Sequence, residues 1–152
     1  MAERPIQDFV EPFGRTCWGC GQQNAHGFRI RSFWRGEEAV CTWRPEPHHN
    51  AAPGVLNGGV IATLMDCHCA CVAISAAYRA EGREMGSHPA IVMVTGSLHV
   101  DYLRPTPMDG AVELRARVKE ITARKAVLTC ALLAGGIETA RGEVVMVRAR
   151  PA

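Results

Sequence analysis

One long helical segment that is apolar on almost every side constrains this sequence more than any other feature. Residues 57–79 contain no proline and are rich in alanine, and Asn57 is a favourable residue for the position that caps a helix start. Apolar side chains cover most of the circumference: Val60, Ile61, Leu64, Met65, Cys69, Val72, Ile74 and Ala76. A helix that is apolar on nearly all sides is a buried one. We therefore predict that the rest of the chain wraps around it.

The other regular segments are typical of β-strands, two before the helix and three or four after it. They span residues 28–34, 39–43, 91–103, 112–121, 126–133 and 140–148. Residues 112–121 alternate apolar and charged side chains, which indicates a sheet with one packed and one wet face. Residues 1–27 form a lead-in with one short helix near 6–13. With no repeat or linker, we predict a single α+β domain over residues 1–152, an antiparallel sheet of five to six strands around one central helix.

Composition and charge argue against several classes of partner. The formal net charge is only +2, and no run of Lys and Arg is interleaved with aromatic residues, which argues against nucleic acid. The N-terminal residues have no apolar signal core, and no stretch approaches the ~20 consecutive apolar residues of a membrane span. Seven cysteines, an odd number, fit reduced thiols rather than a disulfide framework. We expect a cytoplasmic protein without nucleic-acid or membrane partners.

Asp66 is the only charged residue between Gly58 and Tyr78. An unpaired carboxylate is costly to bury, so such a group is paired, neutral or functional. Isolated charges on apolar elements cluster at active sites. We predict that Asp66 is a catalytic carboxylate. The alternative is that it faces a wet edge or bonds a polar neighbour such as Thr63 or His68.

The start of the same helix offers the second half of a site. The first N–H groups of a helix have no intrahelical partner, and the helix dipole favours negative charge there. Because Gly58 and Gly59 lack side chains, a substrate carbonyl can approach these N–H groups, as in an oxyanion hole. The alternative is a helix start that is merely packed tightly against the sheet.

The spacing of these two features predicts an assembly of two chains. Asn57 and Asp66 are nine residues apart, which places them roughly 13.5 Å apart along the axis and about half a turn out of phase. One small substrate molecule cannot easily touch both within one chain. A two-fold dimer would bring the helix start of one chain opposite Asp66 of the other and create two equal sites.

Residues 55–66, Val-Leu-Asn-Gly-Gly-Val-Ile-Ala-Thr-Leu-Met-Asp, closely resemble the helix motif of hotdog-fold acyl-CoA thioesterases. The similar groups are the phenylacetate-degradation (PaaI-like) and 4-hydroxybenzoyl-CoA thioesterases. Residues 17–27 resemble their lead-in, and residues 101–105 resemble the end of their third strand. The resemblance implies a hotdog fold, hydrolysis of acyl-CoA to a free acid and CoA, no cofactor beyond the substrate's own coenzyme A, and a homodimer or homotetramer.

The resemblance also implies residue roles. The Gly58 N–H would polarise the thioester carbonyl, Asp66 would act as general base or nucleophile, and Thr95 would hold the attacking water. Asn57 stands where the family usually has His; an amide can cap a helix but cannot titrate near neutral pH, so the base role falls on Asp66 alone. Asn50 is one residue out of step with a family Asn that supports the carbonyl.

Thr95 reaches the site only under one structural condition. On a regular strand it shares a face with Ser97, opposite the apolar set that should face the helix: Val94, Leu98 and Val100. A β-bulge would turn Thr95 to the helix, and Gly96 is a suitable place for one. Cover of this face by a partner chain is the alternative.

Three further residues are candidates for substrate binding. Gly59 belongs to the helix start, and His49 lies in the loop before it, where it either lines the pocket or is solvated. Arg104 follows the third long strand, where it could meet the phosphates of coenzyme A or be an ordinary exposed cation.

Cysteines suggest a metal site at first, because Cys17 and Cys20 have the spacing of half a zinc site. No second Cys-x-x-Cys or His pair follows at finger spacing. Cys67, Cys69 and Cys71 lie on the helix, where residues one or two apart point in different directions, and buried cysteine is common. We therefore predict no metal site.

Two other functions fit a fold of this kind. A hydratase is one, since residues 52–56 resemble the loop of hydroxyacyl-carrier-protein dehydratases; those enzymes pair a His with an acid, and Asn57 does not titrate. A non-catalytic acyl-CoA-binding protein is the other, and the missing His favours it.

Overall fold

The computed structural model describes residues 2–10 and 12–150. One long α-helix, α1, spans Gly58–Ala80. The strands are β1 (Ser32–Arg35), β2 (Glu38–Trp43), β3 (Asn50–Ala52), β4 (Val55–Leu56), β5 (Met93–Tyr102), β6 (Val112–Ile121), β7 (Lys125–Ala134) and β8 (Ile137–Arg148). Short 3₁₀ segments span Ile6–Phe9, Pro12–Thr16 and Pro47–His49.

Six of these strands form one antiparallel sheet in the order β1-β2-β6-β7-β8-β5. The helix α1 packs on its inner face, and the apolar residues of both elements form the core, among them Leu64, Met65, Val72, Leu114, Leu128, Val144 and Met146. In β6, Val112, Leu114 and Ala116 are fully buried, which confirms the predicted alternation. The prediction of an antiparallel sheet around one central helix is confirmed.

The helix owes its position to a cap and a nearly complete apolar surface. Asn57 Oδ1 accepts hydrogen bonds from the N–H groups of Gly59 and Val60, at 2.8 and 3.3 Å. One stripe of small or polar residues remains only partly covered: Gly59, Ala62, Thr63, Asp66 and Ala70. Because these residues recur every three or four positions, they share one face. Asp66 therefore lies on the open side of a core helix.

The same helix also meets the length and composition of a membrane-spanning segment, with a mean hydropathy of 1.7, contrary to the sequence-based expectation. It is the one such helix among residues 2–10 and 12–150. Within the most apolar 18-residue stretch of this helix, 78% is buried inside the fold. This burial accounts for the apolar composition.

The edge strand β5 carries a β-bulge. Thr95 pairs with Met146 and Ser97 pairs with Val145, so Gly96 is the extra residue. On the N-terminal side of the bulge Met93 is buried, whereas Val94 is 51% exposed. The bulge predicted at Gly96 is present. The expectation that Val94 faces the helix is wrong, because the bulge reverses the faces of the residues before it.

Three segments differ from their predicted structure. Residues 28–31 precede β1 rather than extend it, and Arg29 adopts a positive φ of 48°. The loop before α1 contains the two-stranded ladder of β3 and β4. The helix predicted near residues 6–13 is two short 3₁₀ segments, and residue 11 lies outside the described part.

Candidate active site

Asp66 and Thr95 meet on the open side of α1. The Thr95 hydroxyl donates a hydrogen bond to Asp66 Oδ1 at 2.5 Å. Thr95 is exposed and Asp66 is half-buried, so both can contact a bound molecule. The bulge at Gly96 makes this contact possible, because on a regular strand Thr95 would point away from the helix. Bonding of Asp66 to Thr63 or His68, the alternative considered above, does not occur, since Thr63 donates to the Gly59 carbonyl.

This contact leaves specific hydrogen-bonding capacity free. A threonine hydroxyl has one donor and two acceptor positions, and a carboxylate has only acceptors. The single donor of Thr95 is committed to Asp66 Oδ1. A water molecule at this place can donate one proton to Thr95 Oγ1 and the other to Asp66, which directs its lone pair outward. The pair can therefore hold a water molecule in a fixed orientation.

At the start of α1 one N–H group remains available. The cap of Asn57 uses the N–H groups of Gly59 and Val60, and the Ile61 N–H donates to the Asn57 carbonyl at 3.1 Å. Within residues 2–10 and 12–150, no hydrogen bond uses the Gly58 N–H. Asn57 is thus a cap that leaves Gly58 as the free donor, and Gly59 contributes its small size rather than its N–H.

Tyr102, which sequence reasoning did not single out for a role, supports the helix start. Its hydroxyl donates to the Gly58 carbonyl at 2.6 Å. A Cβ atom on Gly58 would lie 3.3 Å from the Tyr102 ring, so the ring packs directly over the first helical residue. Partial burial against the helix start raises the pKa of the Tyr102 phenol, which keeps it protonated as a donor. This contact joins residues 44 apart in the chain, and no local spacing indicates it.

A groove of about 410 Å³ opens beside the helix start. It is lined by Trp18, His26, Phe28, His48, His49, Asn50, Asn57 and Val60. Of the predicted substrate-binding residues, the structure thus brings His49 and Asn50 next to Asn57. The groove is partly aromatic, which suits an apolar or planar group.

His49 has a structural task of its own. Its Nδ1 accepts a hydrogen bond from the Glu46 N–H at 2.9 Å. The centroid of its ring lies 5.1 Å from that of the Phe28 ring and 5.0 Å from that of the Trp43 ring. Burial, with the neighbouring His48, lowers the pKa of His49. His49 is therefore a neutral, half-buried residue of the groove wall rather than a solvated one.

Arg104 lies exposed in the segment that follows β5. Its backbone N–H donates to the Thr139 carbonyl at 3.3 Å, and two residues later the Thr106 carbonyl accepts from the Leu56 N–H. The segment therefore runs alongside β4, immediately before α1. Within the described part of the chain no carboxylate pairs with the Arg104 guanidinium, which leaves it free to meet an anion.

The predicted site residues fall into two groups within one chain. Asn57, Gly58 and Gly59 lie at the start of α1, whereas Asp66 and Thr95 lie two turns further along. Gly58 and Asp66 are eight residues apart in the helix, or about 12 Å along its axis. This distance exceeds the reach of one thioester group.

His68 is a core residue, not part of the site. It is fully buried; its Nδ1 lies 2.7 Å from Ser32 Oγ and its Nε2 lies 3.0 Å from the Ala39 carbonyl oxygen. Nε2 therefore carries the proton that is donated to Ala39. Burial lowers the pKa of His68 to about 4, so the ring is neutral at physiological pH.

Cysteines of the lead-in and of α1 also come together. The sulfur atoms of Cys17, Cys20 and Cys67 all lie within 4.8 Å of one another. A hydrogen bond from Cys67 lowers the pKa of Cys17 to about 6. The sequence predicted no metal site, because that prediction considered only residues close together in the chain. The fold brings cysteines from distant parts of the chain together, which the prediction did not consider.

One central helix wrapped by a six-stranded antiparallel sheet, with a lone carboxylate on its open side, defines a hotdog-fold protein of the thioesterase type. Residues 53–141, more than half of the chain, match the sequence profile of the Thioesterase superfamily. The chain belongs to this superfamily, as the helix motif predicted.

Individual relatives are consistent with that assignment. The chain is 30% identical over 110 residues to the acyl-coenzyme A thioesterase THEM4 of Xenopus laevis. The match covers 71% of this chain and 44% of that protein. It is 28% identical over 108 residues to the THEM4 of Rattus norvegicus, and that match covers 70% of this chain and 41% of the relative. The chain therefore spans less than half the length of these curated relatives.

Solved structures give the same fold. A thioesterase superfamily protein from Shewanella loihica is 39% identical, with a TM-score of 0.66, and the match covers 83% of this chain and 96% of that one. The PaaI protein of the Escherichia coli phenylacetic acid degradation operon is 16% identical, with a TM-score of 0.65 and 81% of each chain covered. At this identity the second likeness concerns the fold alone.

Proposed function

We propose that this chain is a cytoplasmic acyl-CoA thioesterase that hydrolyses its substrate at sites shared between two copies of the chain. Membership of the Thioesterase superfamily supports the reaction class, and the acyl-coenzyme A thioesterases named above support the substrate class. The observation that carries the proposal is the hydrogen bond between Thr95 and Asp66 on the open side of α1.

A thioester is already activated, so the chemistry needs modest assistance. The Gly58 N–H, free and at the positive end of the helix dipole, would polarise the carbonyl. Removal of one such donor typically costs about 3 kcal/mol of transition-state stabilisation. Asp66 then either deprotonates a water held by Thr95 or attacks the carbonyl to form an anhydride that water hydrolyses. In both routes the CoA thiolate leaves.

The free edge of β5 supports the dimer. This strand of ten residues pairs with β8 on one side only. Val94 and Tyr102 on it are 51% and 53% exposed, although a long, apolar, unpaired edge is normally avoided or covered. Antiparallel pairing of β5 with its copy around a two-fold axis covers this edge and brings the partner's helix start towards Asp66. A further pairing of dimers would give a tetramer.

The first experiment measures CoA release with a thiol reagent from short-chain, long-chain and aryl acyl-CoAs. We expect turnover by the wild type, at least about 10³-fold loss in Asp66→Asn, and little change in Asp109→Asn, an exposed acid in the connection between β5 and β6. Turnover retained by Asp66→Asn would contradict the proposal. Binding of acyl-CoA without release would replace it with a binding function.

A complementation experiment tests the shared site. Asp66→Asn and Gly58→Pro chains, each nearly inactive, are co-expressed. If each site takes Gly58 from one chain and Asp66 from the other, a mixed dimer has one intact site, and random pairing restores about a quarter of wild-type activity. If each chain holds its own site, no activity returns.

A further inference from the structure

Four cysteines from two distant parts of the chain form one cluster beside α1. Cys17 and Cys20 lie in the lead-in loop, and Cys67 and Cys71 lie on the helix. Residues four apart on a helix lie one above the other on the same face. The sulfur atoms of Cys17, Cys20 and Cys67 lie within 4.8 Å of one another, and the buried Cys71 lies one turn further along the same helical face. The cluster is thus one Cys-x-x-Cys pair facing one pair separated by a helical turn.

The sulfur spacing fits a shared metal ion. Cys17 Sγ and Cys67 Sγ are 3.7 Å apart. A disulfide requires about 2.0 Å between sulfur atoms. Tetrahedral zinc with Zn–S bonds of about 2.3 Å holds its sulfur ligands about 3.8 Å apart. The observed distance excludes a disulfide, and two thiols that now share a hydrogen bond already have the spacing of two ligands on one zinc ion.

The lead-in loop is shaped to present its sulfur atoms. The Gly21 N–H donates to the Cys17 carbonyl at 2.8 Å. This bond closes the turn that carries Cys17 and Cys20 and holds both cysteines in place, as the supporting hydrogen bonds around metal ligands do.

Two glycines permit the tight turn and its approach to the helix. A Cβ atom on Gly19 would lie 2.2 Å from Cys67 Sγ, and one on Gly21 would lie 2.4 Å from the Arg15 carbonyl oxygen. No side chain fits at either position. The loop therefore follows a path that only glycine allows, and this path ends with its two sulfur atoms against those of α1.

The remaining cysteines behave differently. Cys41 is fully buried in β2, and Cys69 and Cys130 are buried in the core between α1 and the sheet. Cys69 lies between the two cluster cysteines of α1 in sequence but points to the sheet. This contrast separates four converging thiols from three that only fill space.

We propose that Cys17, Cys20, Cys67 and Cys71 bind one Zn²⁺ ion as a closed tetrahedral site. Four protein ligands leave no position for water or substrate, so the ion is structural. Binding releases the thiol protons and fixes the lead-in to the helical turn that directly follows Asp66. The inference does not depend on the proposed thioesterase activity.

Metal content tests the proposal directly. Tag-free protein, produced with zinc in the medium and purified with a reductant and without chelator, is analysed by elemental mass spectrometry. We expect one zinc per chain, and the green-blue absorption of tetrahedral cobalt thiolate when Co²⁺ replaces it. Cys20→Ser and Cys71→Ser should lose both signals, whereas Cys130→Ala, a cysteine outside the cluster, should keep both.

Thermal unfolding gives a second readout that needs no substrate. A chelator should lower the Tm of the wild type and of Cys130→Ala, and leave that of Cys20→Ser unchanged. Four alkylatable thiols without bound metal, or a disulfide within the cluster in the intact mass, would overturn the proposal. Full metal content in Cys71→Ser would overturn the assignment of the fourth ligand.

Discussion

The free N–H of Gly58 can be deleted with little disturbance of the fold. Gly58 is the first residue of α1, the one helical position where proline is favoured, because its missing N–H has no intrahelical partner. The preceding residue must then be extended, and Asn57 already has φ −63° and ψ 134°. Gly58→Pro therefore removes the proposed oxyanion donor while the cap on Gly59 and Val60 stays intact.

The expected effect follows from the loss of one preorganised donor. Such a loss typically costs about 3 kcal/mol, or roughly 10²–10³-fold in kcat. Stability should change by about 1 kcal/mol or less, since the helix keeps its remaining hydrogen bonds. Gly58→Ala is the matched control, because its Cβ meets the Tyr102 ring at the same 3.3 Å but its N–H remains.

The assay compares both variants in CoA release and in thermal unfolding by circular dichroism. Gly58→Ala should retain most of the activity, and Gly58→Pro should lose it at an almost equal Tm. Equal activity in two folded variants would refute the assignment of the Gly58 N–H as the donor. The contact with Tyr102 cannot account for a difference, since both variants share it.

Three further predictions concern Thr95, Asn57 and the core residue His68. Thr95→Val should lower kcat about 10-fold or more by removing the hydroxyl that orients the water, whereas Thr95→Ser should keep most activity; equal rates in both would contradict the role of the hydroxyl. Asn57→Asp should preserve the Tm, because Asp caps as well as Asn, but lower kcat/KM by about 10-fold through its charge beside the developing oxyanion. The folded pKa of His68, about 4, lies below its unfolded value of 6.5, so the unfolded state binds more protons between these values and stability falls as pH falls through this window. The free energy of unfolding should drop by about 2 kcal/mol from pH 7 to pH 5 on account of this residue, and chemical denaturation of His68→Gln should show a correspondingly flatter pH profile.

The parts of the fold that depend on local periodicity were predictable from the sequence. The apolar circumference of residues 57–79 predicts the buried helix, and α1 spans Gly58–Ala80. The alternation of residues 112–121 predicts β6 with the same bounds. Asp66 was recognisable because a charge within an apolar run has a high cost of burial. Gly96 indicated the bulge because glycine in a strand interior often marks one.

Contacts between distant residues were not predictable in this way. Tyr102 reaches Gly58 only because β5 folds beside the start of α1. Cys17 and Cys67 are 50 residues apart, and their meeting depends on the path of the lead-in. A partial signal existed for the cysteines, since the four-residue spacing of Cys67 and Cys71 places both on one helical face.

The extra residue in β5 has an evolutionary consequence. Because Gly96 is the unpaired residue, its loss would make β5 a regular strand and leave Thr95 opposite Met146 and Met93 in the core. A single codon therefore separates a bulged lineage from a regular one, and both keep the hydroxyl beside the acid. Among descendants of this chain that lack this glycine, we expect the hydroxyl residue six rather than seven positions before the counterpart of Tyr102.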